Sequence, residues 1–238
     1  MANSDQFLNA YSQIEKYAQK FTKKKHLSFY KLLEYASQKS PAIKEFMIDL
    51  QQYAELRNAI VHKRRGGRVI AEPNSRAVED IVKLARLITK PPPVIQFFKT
   101  EVKTLDISDN ISIAVRFMKK HSFSQIPIMN KNNIKALLTP NTITRWLGEN
   151  VDDDLFSLED TKISSVLRST EDKNNHEIVE KNTNLFQILD FYRKFEKEGK
   201  NLEAIIITES GRRNQKPMGI LTLSDLPKVF KIISLDKQ

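Results

Sequence analysis

Apolar residues at Phe7, Tyr11, Ile14, Ala18 and Phe21 step by four and three, so they share one face of a helix. Ser4 is the expected N-cap. A second helix is predicted over 28–37. Ser40-Pro41 reads as an N-cap followed by proline at the first helical position, and Phe46, Leu50, Tyr53 and Ile60 carry an apolar stripe through a third helix ending near His62. Lys63-Arg64-Arg65-Gly66-Gly67 supplies the cations and glycine that favour a helix C-terminus. A fourth helix begins near Asn74-Ser75 and buries Val78, Ile81, Ala85 and Ile88. Residues 1–90 thus predict an all-α, four-helix domain. Pro91-Pro92-Pro93 cannot continue a helix and predicts a stiff linker.

Beyond the prolines, short β-branched runs alternate with helical stretches. The order is 102–105, 111–120, 125–129, 136–139 and 141–147, and it recurs as 178–179, 185–195, 204–208, 219–222 and 224–230. This is an internal repeat. Ala136-Leu137-Leu138-Thr139-Pro140-Asn141-Thr142-Ile143 aligns with Gly219-Ile220-Leu221-Thr222-Leu223-Ser224-Asp225-Leu226 at an offset of 83, whereas Ile111 aligns with Leu185 at an offset of 74. The second unit therefore carries nine additional residues, some of them in the loop 209–217. The expected fold class is α+β: a helical domain at 1–90, a linker at 91–93, and repeat units at 94–156 and 157–238.

Gly219-Ile220-Leu221-Thr222-x-x-Asp225-Leu226 resembles the closing signature of CBS motifs, and Ser124-Gln125-Ile126-Pro127-Ile128 resembles their S-x-x-P segment. The resemblance covers about residues 95–235. It implies a tandem CBS pair, two β-α-β-β-α units with clefts between them, in which the signature Thr and Asp hydrogen-bond the ribose of an adenine nucleotide (AMP, ADP, ATP, cyclic di-AMP or S-adenosylmethionine). The nucleotide site expected on this basis involves Gly219, Thr222, Ser224 and Asp225, with apolar neighbours such as Ile206 sandwiching the base. A strand ending at Thr222 before a helix near Ser224 would aim backbone N–H groups at the cleft. The equivalent half-site in the first unit, Thr139 and Thr142, has Thr142 where the aspartate would stand and Ala136 in place of the glycine. One well-formed site is expected, at Thr222 and Asp225.

Leu56-Arg57-Asn58-Ala59-Ile60-Val61-His62 resembles the R-x4-6-H motif of the HEPN superfamily of helical domains, which includes metal-independent, usually dimeric endoribonucleases. That resemblance implies His62 as general acid or base and Arg57 as a stabiliser of phosphate charge. On a helix Asn58 and His62 share a face, so Asn58 is expected to orient the ring. Arg57 and His62 lie about 140° apart around the axis, so two such helices in a homodimer would face each other better than one helix alone. Lys63, Arg64, Arg65 and Arg68 are candidate RNA contacts.

Charge sharpens this division. The net charge is +10. Residues 1–90 hold 17 Lys/Arg against 9 Asp/Glu, and the remainder 22 against 20, so the excess belongs to the helical part. A cationic domain attracts polyanions such as RNA. There are no cysteines, which excludes disulfides and thiolate metal sites and accords with a reducing cytoplasm. No apolar run approaches the roughly 18 residues of a membrane span, the N-terminus shows no export signal, and no P-loop, G-x-G-x-x-G, HExxH or G-x-S-x-G occurs. The scattered histidines make no metal-ligand spacing. Two functions are open: a nucleotide-sensing CBS pair that governs RNA binding or cleavage by repositioning the helical domain, or a non-enzymatic adaptor whose helical domain docks a protein partner.

Overall fold

The structure is a computed structural model that describes residues 2–24, 26–62, 64–65, 68–69, 71–151 and 157–235, with only the backbone described at 62, 64–65 and 68–69. The chain divides into two compact units: one of residues 1–92, 184–187 and 229–238, the other of residues 93–183 and 188–228.

The helical part of the first unit contains α1 (Asn3–Gln19), α2 (Phe29–Ser37), α3 (Pro41–Glu45), α4 (Met47–His62), a two-residue antiparallel pair β1 (Arg64–Arg65) and β2 (Arg68–Val69), and α5 (Ser75–Thr89). Three starts follow the sequence. The side chains of Ser28, Ser40 and Asn74 accept from the N–H groups of Lys31, Ile43 and Ala77. Two expectations need correction. Ser4 lies inside α1, whose N-cap is Ala2, and its N–H donates to Glu72 Oε1 at 3.0 Å. The single helix predicted from Pro41 to His62 is broken at Phe46, whose φ of −101° and ψ of 23° end α3. Phe7, Ile14, Leu33, Ile43, Ile60, Ile81, Leu84 and Ile88 are fully buried and form the core.

The repeat is realised as two sheets of the same topology. The first unit of the repeat comprises β3 (Leu105–Asp106), α7 (Ile111–His121), β4 (Ile126–Asn130), β5 (Asn133–Leu138) and α8 (Pro140–Glu149), following a short helix α6 (Ile95–Phe98). The second comprises β6 (His176–Glu180), α10 (Leu185–Lys197), β7 (Ala204–Thr208), β8 (Gly219–Thr222) and α11 (Leu226–Ile233), after a short helix α9 (Ile163–Val166) that the sequence pattern did not signal. In each sheet the first strand runs parallel to the middle one, which is antiparallel to the third. Ile128 opposite Ala136 and Ile207 opposite Gly219 are equivalent register pairs.

Ile134, Leu137, Ala204 and Ile206 make one buried cluster, joined by Met129, Ile178 and Ile220. A second cluster lies beneath α7 and α8 and includes Ile111, Ile126, Ile143 and Trp146. All five residues of β7 are buried, because the strand is central in its sheet and covered on both faces. Among the described residues no helix is long and apolar enough to cross a membrane.

Candidate functional site

The signature of the second repeat unit lies at the turn from β8 into α11. Thr222 closes the strand and Leu223–Asp225 form a single 3-10 turn before the helix. The carboxylate of Asp225 folds back on that turn. Its Oδ2 accepts from the Thr222 N–H at 2.9 Å and from the Thr222 hydroxyl at 3.1 Å. The Thr222 and Ser224 hydroxyls lie 2.7 Å apart. Asp225 is half-buried, and its Oδ1 makes no hydrogen bond to a described residue. One carboxylate oxygen is thus engaged within the turn and the other is left for an incoming donor.

Thr222 and Ser224 line a cleft of about 270 Å³. Ile220 of the same strand contributes apolar surface, and the opposite wall comes from the first repeat unit: Phe123, Ser124 and Pro127 at the corner between α7 and β4, with 100–103 leading towards β3. The Phe123 ring is 46% exposed and stacks on His121 with centroids 5.6 Å apart. Lys103, also on this wall, is paired with Glu101 at 2.5 Å, and that pairing holds the Glu101 carboxyl below its usual range.

Gly219 serves this arrangement without a side chain. It bridges Lys99 across the incoming segment, and Thr100 N–H donates to Met218 O at 3.1 Å. A Cβ at Gly219 would fall 2.2 Å from the Phe98 carbonyl oxygen. The glycine is what lets the segment leading into the first unit lie against the signature strand of the second. Ile206 is placed elsewhere than the expected base sandwich. Its side chain is fully buried in the cluster with Ile134 and Leu137, and Ile220 supplies the apolar surface at the cleft instead. The run Ile205-Ile206-Ile207 had no polar alternation to reveal which residue faced the cleft.

The equivalent half-site is different. Thr139 and Thr142 are 3% and 2% exposed, with hydroxyls 3.2 Å apart, and Thr139 caps α8 by accepting from the Thr142 N–H at 3.3 Å. They line a cleft of about 180 Å³ whose other wall carries Glu171, Asp172 and Glu203. By register, Glu203 occupies the place of Ser124 in the other cleft. Three carboxylates against one ammonium, Lys200, make this cleft unfavourable for a phosphate.

In the helical unit the Arg57 guanidinium donates to Asn58 Oδ1 at 3.3 Å and lies over the Tyr11 ring at 6.0 Å. Burial pushes the Tyr11 hydroxyl above its usual range, with Arg57 acting in the opposite direction. Asn58 is thus engaged by Arg57, the neighbour that sequence reasoning did not pair with it. The side chains of His62, Arg64, Arg65 and Arg68, and the whole of Lys63, lie outside the described residues. No group of three or more His, Cys, Asp or Glu among the described residues is placed to hold a metal ion.

With this geometry in view, residues 85–149 match the family model described as CBS domain. The CBS-domain match is confined to those residues, within a mixed α+β architecture that has a helical N-terminal region. No curated protein matches the chain. Solved structures resemble parts of it. A signal-transduction protein with CBS domains from Burkholderia ambifaria is 14% identical, with a TM-score of 0.41 over 58% of this chain and 85% of that one. The CBS domain of a CBS domain-containing membrane protein from Sphaerobacter thermophilus is 18% identical, with a TM-score of 0.43 over 59% and 88%. The CBS domain of a bacterial CNNM/CorC family Mg2+ transporter, solved in complex with ATP, is 15% identical, with a TM-score of 0.45 over 64% and 95%.

Proposed function

We propose that the cleft at Thr222 binds the nucleoside part of an adenine nucleotide and that the chain is a nucleotide-sensing regulatory protein. The observation that carries this reading is a cleft built from both repeat units, with Thr222 and Ser224 of the signature on one wall and Phe123 and Ser124 on the other; Asp225 is not among its lining residues and acts on it by fixing Thr222 through Oδ2. The Thr222 and Ser224 hydroxyls, held by that turn, need little reordering to meet a ribose hydroxyl. The exposed face of Phe123 is a stacking surface for a base, and the hydroxyls of Ser124 and Ser224 add donors and acceptors at the cleft wall. The resemblance of the Thr222–Asp225 signature to CBS motifs supports the same ligand class, as does the CBS-domain match at 85–149.

Titration calorimetry with AMP, ADP, ATP and cyclic di-AMP tests the proposal. At least one of them is expected to bind the full chain, with Phe123→Ala and Asp225→Ala each weakening it about tenfold, the loss of one good stacking or charge-assisted contact. Binding that survives both substitutions would place the nucleotide elsewhere, and absence of binding by all four would end the sensor reading.

For the helical unit, no observation favours RNA cleavage over an adaptor role. Arg57 is engaged by Asn58 and Tyr11, so the proposal is confined to sensing. Comparing RNA decay between the natural chain and His62→Ala separates the two roles: equal decay leaves the adaptor.

A further inference from the structure

A cavity of about 420 Å³ opens beside β5 and the segment leading into β6, and its lining includes Lys135, Arg168, Lys173 and Arg213. No carboxylate lines it. Among the described residues, Lys135, Arg168 and Lys173 form no ion pair. Cations gathered around one concavity repel each other, and the repulsion is relieved by an anion in their midst. The remaining wall is partly apolar, from Ile107, Leu137 and Leu167, which strengthens the field inside.

A second observation points to a ligand at the same place. Only two buried side-chain polar atoms among the described residues lack a hydrogen-bond partner: Thr170 Oγ1 and His176 Nε2. Thr170 lines this cavity. His176 follows Asn175, another lining residue, and its Nδ1 lies 3.1 Å from Asn175 Oδ1. A buried hydroxyl without a partner is costly, and an anionic oxygen in the cavity would accept from it. The cavity shares Thr170 and Asn175 with the Thr139 cleft, whose carboxylates direct an anion to the cationic side.

We infer that this cavity is an anion site, separate from the Thr222 cleft, that takes the di- or triphosphate group of a small molecule. Its volume and its spread of four cations suit linked phosphates better than a single one. The inference is independent of what the Thr222 cleft binds.

The test is calorimetry on the full chain with inorganic pyrophosphate and tripolyphosphate, and with sulfate at matched ionic strength. Pyrophosphate should bind more tightly than sulfate. Arg168→Gln and Lys173→Gln, both at exposed positions, should each weaken it about tenfold, the loss of one charge-assisted contact. Thr170→Val should weaken it with no loss of thermal stability, a result that a merely structural hydroxyl would not give. Asp225→Ala should leave it unchanged. ADP that displaces pyrophosphate identifies a nucleotide as the source of the diphosphate, and ADP that does not identifies the free polyphosphate. No pyrophosphate binding, sulfate binding of equal strength, or wild-type affinity in both cation variants would overturn the assignment.

Discussion

Gly219 and Phe98 are in backbone contact: the glycine's missing Cβ would stand 2.2 Å from the Phe98 carbonyl oxygen and 3.0 Å from Ile207 Cδ1. The obstacle on one side is main chain, which cannot swing aside as a side chain would. Gly219→Ala should therefore lower stability by about 2–4 kcal/mol by forcing apart the Lys99–Gly219 bridge, read as a drop in the thermal midpoint. Ala136→Gly, at the equivalent position of the first unit, should have the smaller effect of an added strand glycine, up to about 1 kcal/mol.

Asp225 has a structural part to play besides any ligand. Asp225→Ala removes the acceptor for the Thr222 N–H and should cost about 1 kcal/mol of stability. Asp225→Asn keeps an acceptor oxygen and should retain most of that stability while losing the charge. A nucleotide that depends on the carboxylate would distinguish Asn from Asp even where the thermal midpoints agree. Measuring both quantities on both variants separates the cap from the clamp.

His176 is buried, and its pKa is lowered from 6.5 to about 4, first by burial and second by the Arg213 charge. The fold accepts the neutral ring, so the unfolded chain binds the extra proton. Stability should be unaffected by this group above about pH 6.5, fall as the pH drops towards 4, and level off below, with a total contribution of about 3 kcal/mol. Val102 stands at the equivalent position of the first unit. His176→Val should flatten that part of the profile, measured by denaturant unfolding between pH 7 and pH 4.

The start of α5 depends on Asn74, whose Oδ1 accepts from the Ala77 N–H at 2.8 Å. Asn74→Ala should cost about 1 kcal/mol and Asn74→Gly only a few tenths, a ranking that circular dichroism melts can check.

Much of the repeat was legible because its helices and strands have distinct periods. The predicted stretches at 204–208 and 219–222 coincide with β7 and β8, and α7 runs one residue beyond its expected end. The break at Phe46 was hidden because no glycine or proline marks it, and the apolar stripe continues across it. Ser4 misled because a serine near a helix start reads as a cap, while here the backbone is satisfied by Glu72, a partner distant in sequence. Thr222 and Ser224 were visible through their motif. On the opposite wall Ser124 and Pro127 were visible through the S-x-x-P segment, whereas Phe123 and Lys103 were not, since their approach depends on how two repeat units meet rather than on any local pattern. Asp225 was found by its motif, and its inward hydrogen bonds were open to the same reading, since an Asp at a helix start, three residues after a Thr, has the spacing of a capping box.

The loop 209–217 of the second repeat unit joins the first at Ile134, whose N–H donates to Arg213 O at 2.8 Å and whose carbonyl accepts from Arg213 Nη1 at 3.4 Å. Ile134 belongs to β5, an outer strand of its sheet. Unclaimed main-chain groups on such a strand invite a foreign chain to add itself. The insertion thus acts as a built-in guard rail: it occupies part of an otherwise sticky border and makes one half of the duplicated module the protector of the other. Shortening it would do more than trim a surface loop, because it would expose a template for self-association.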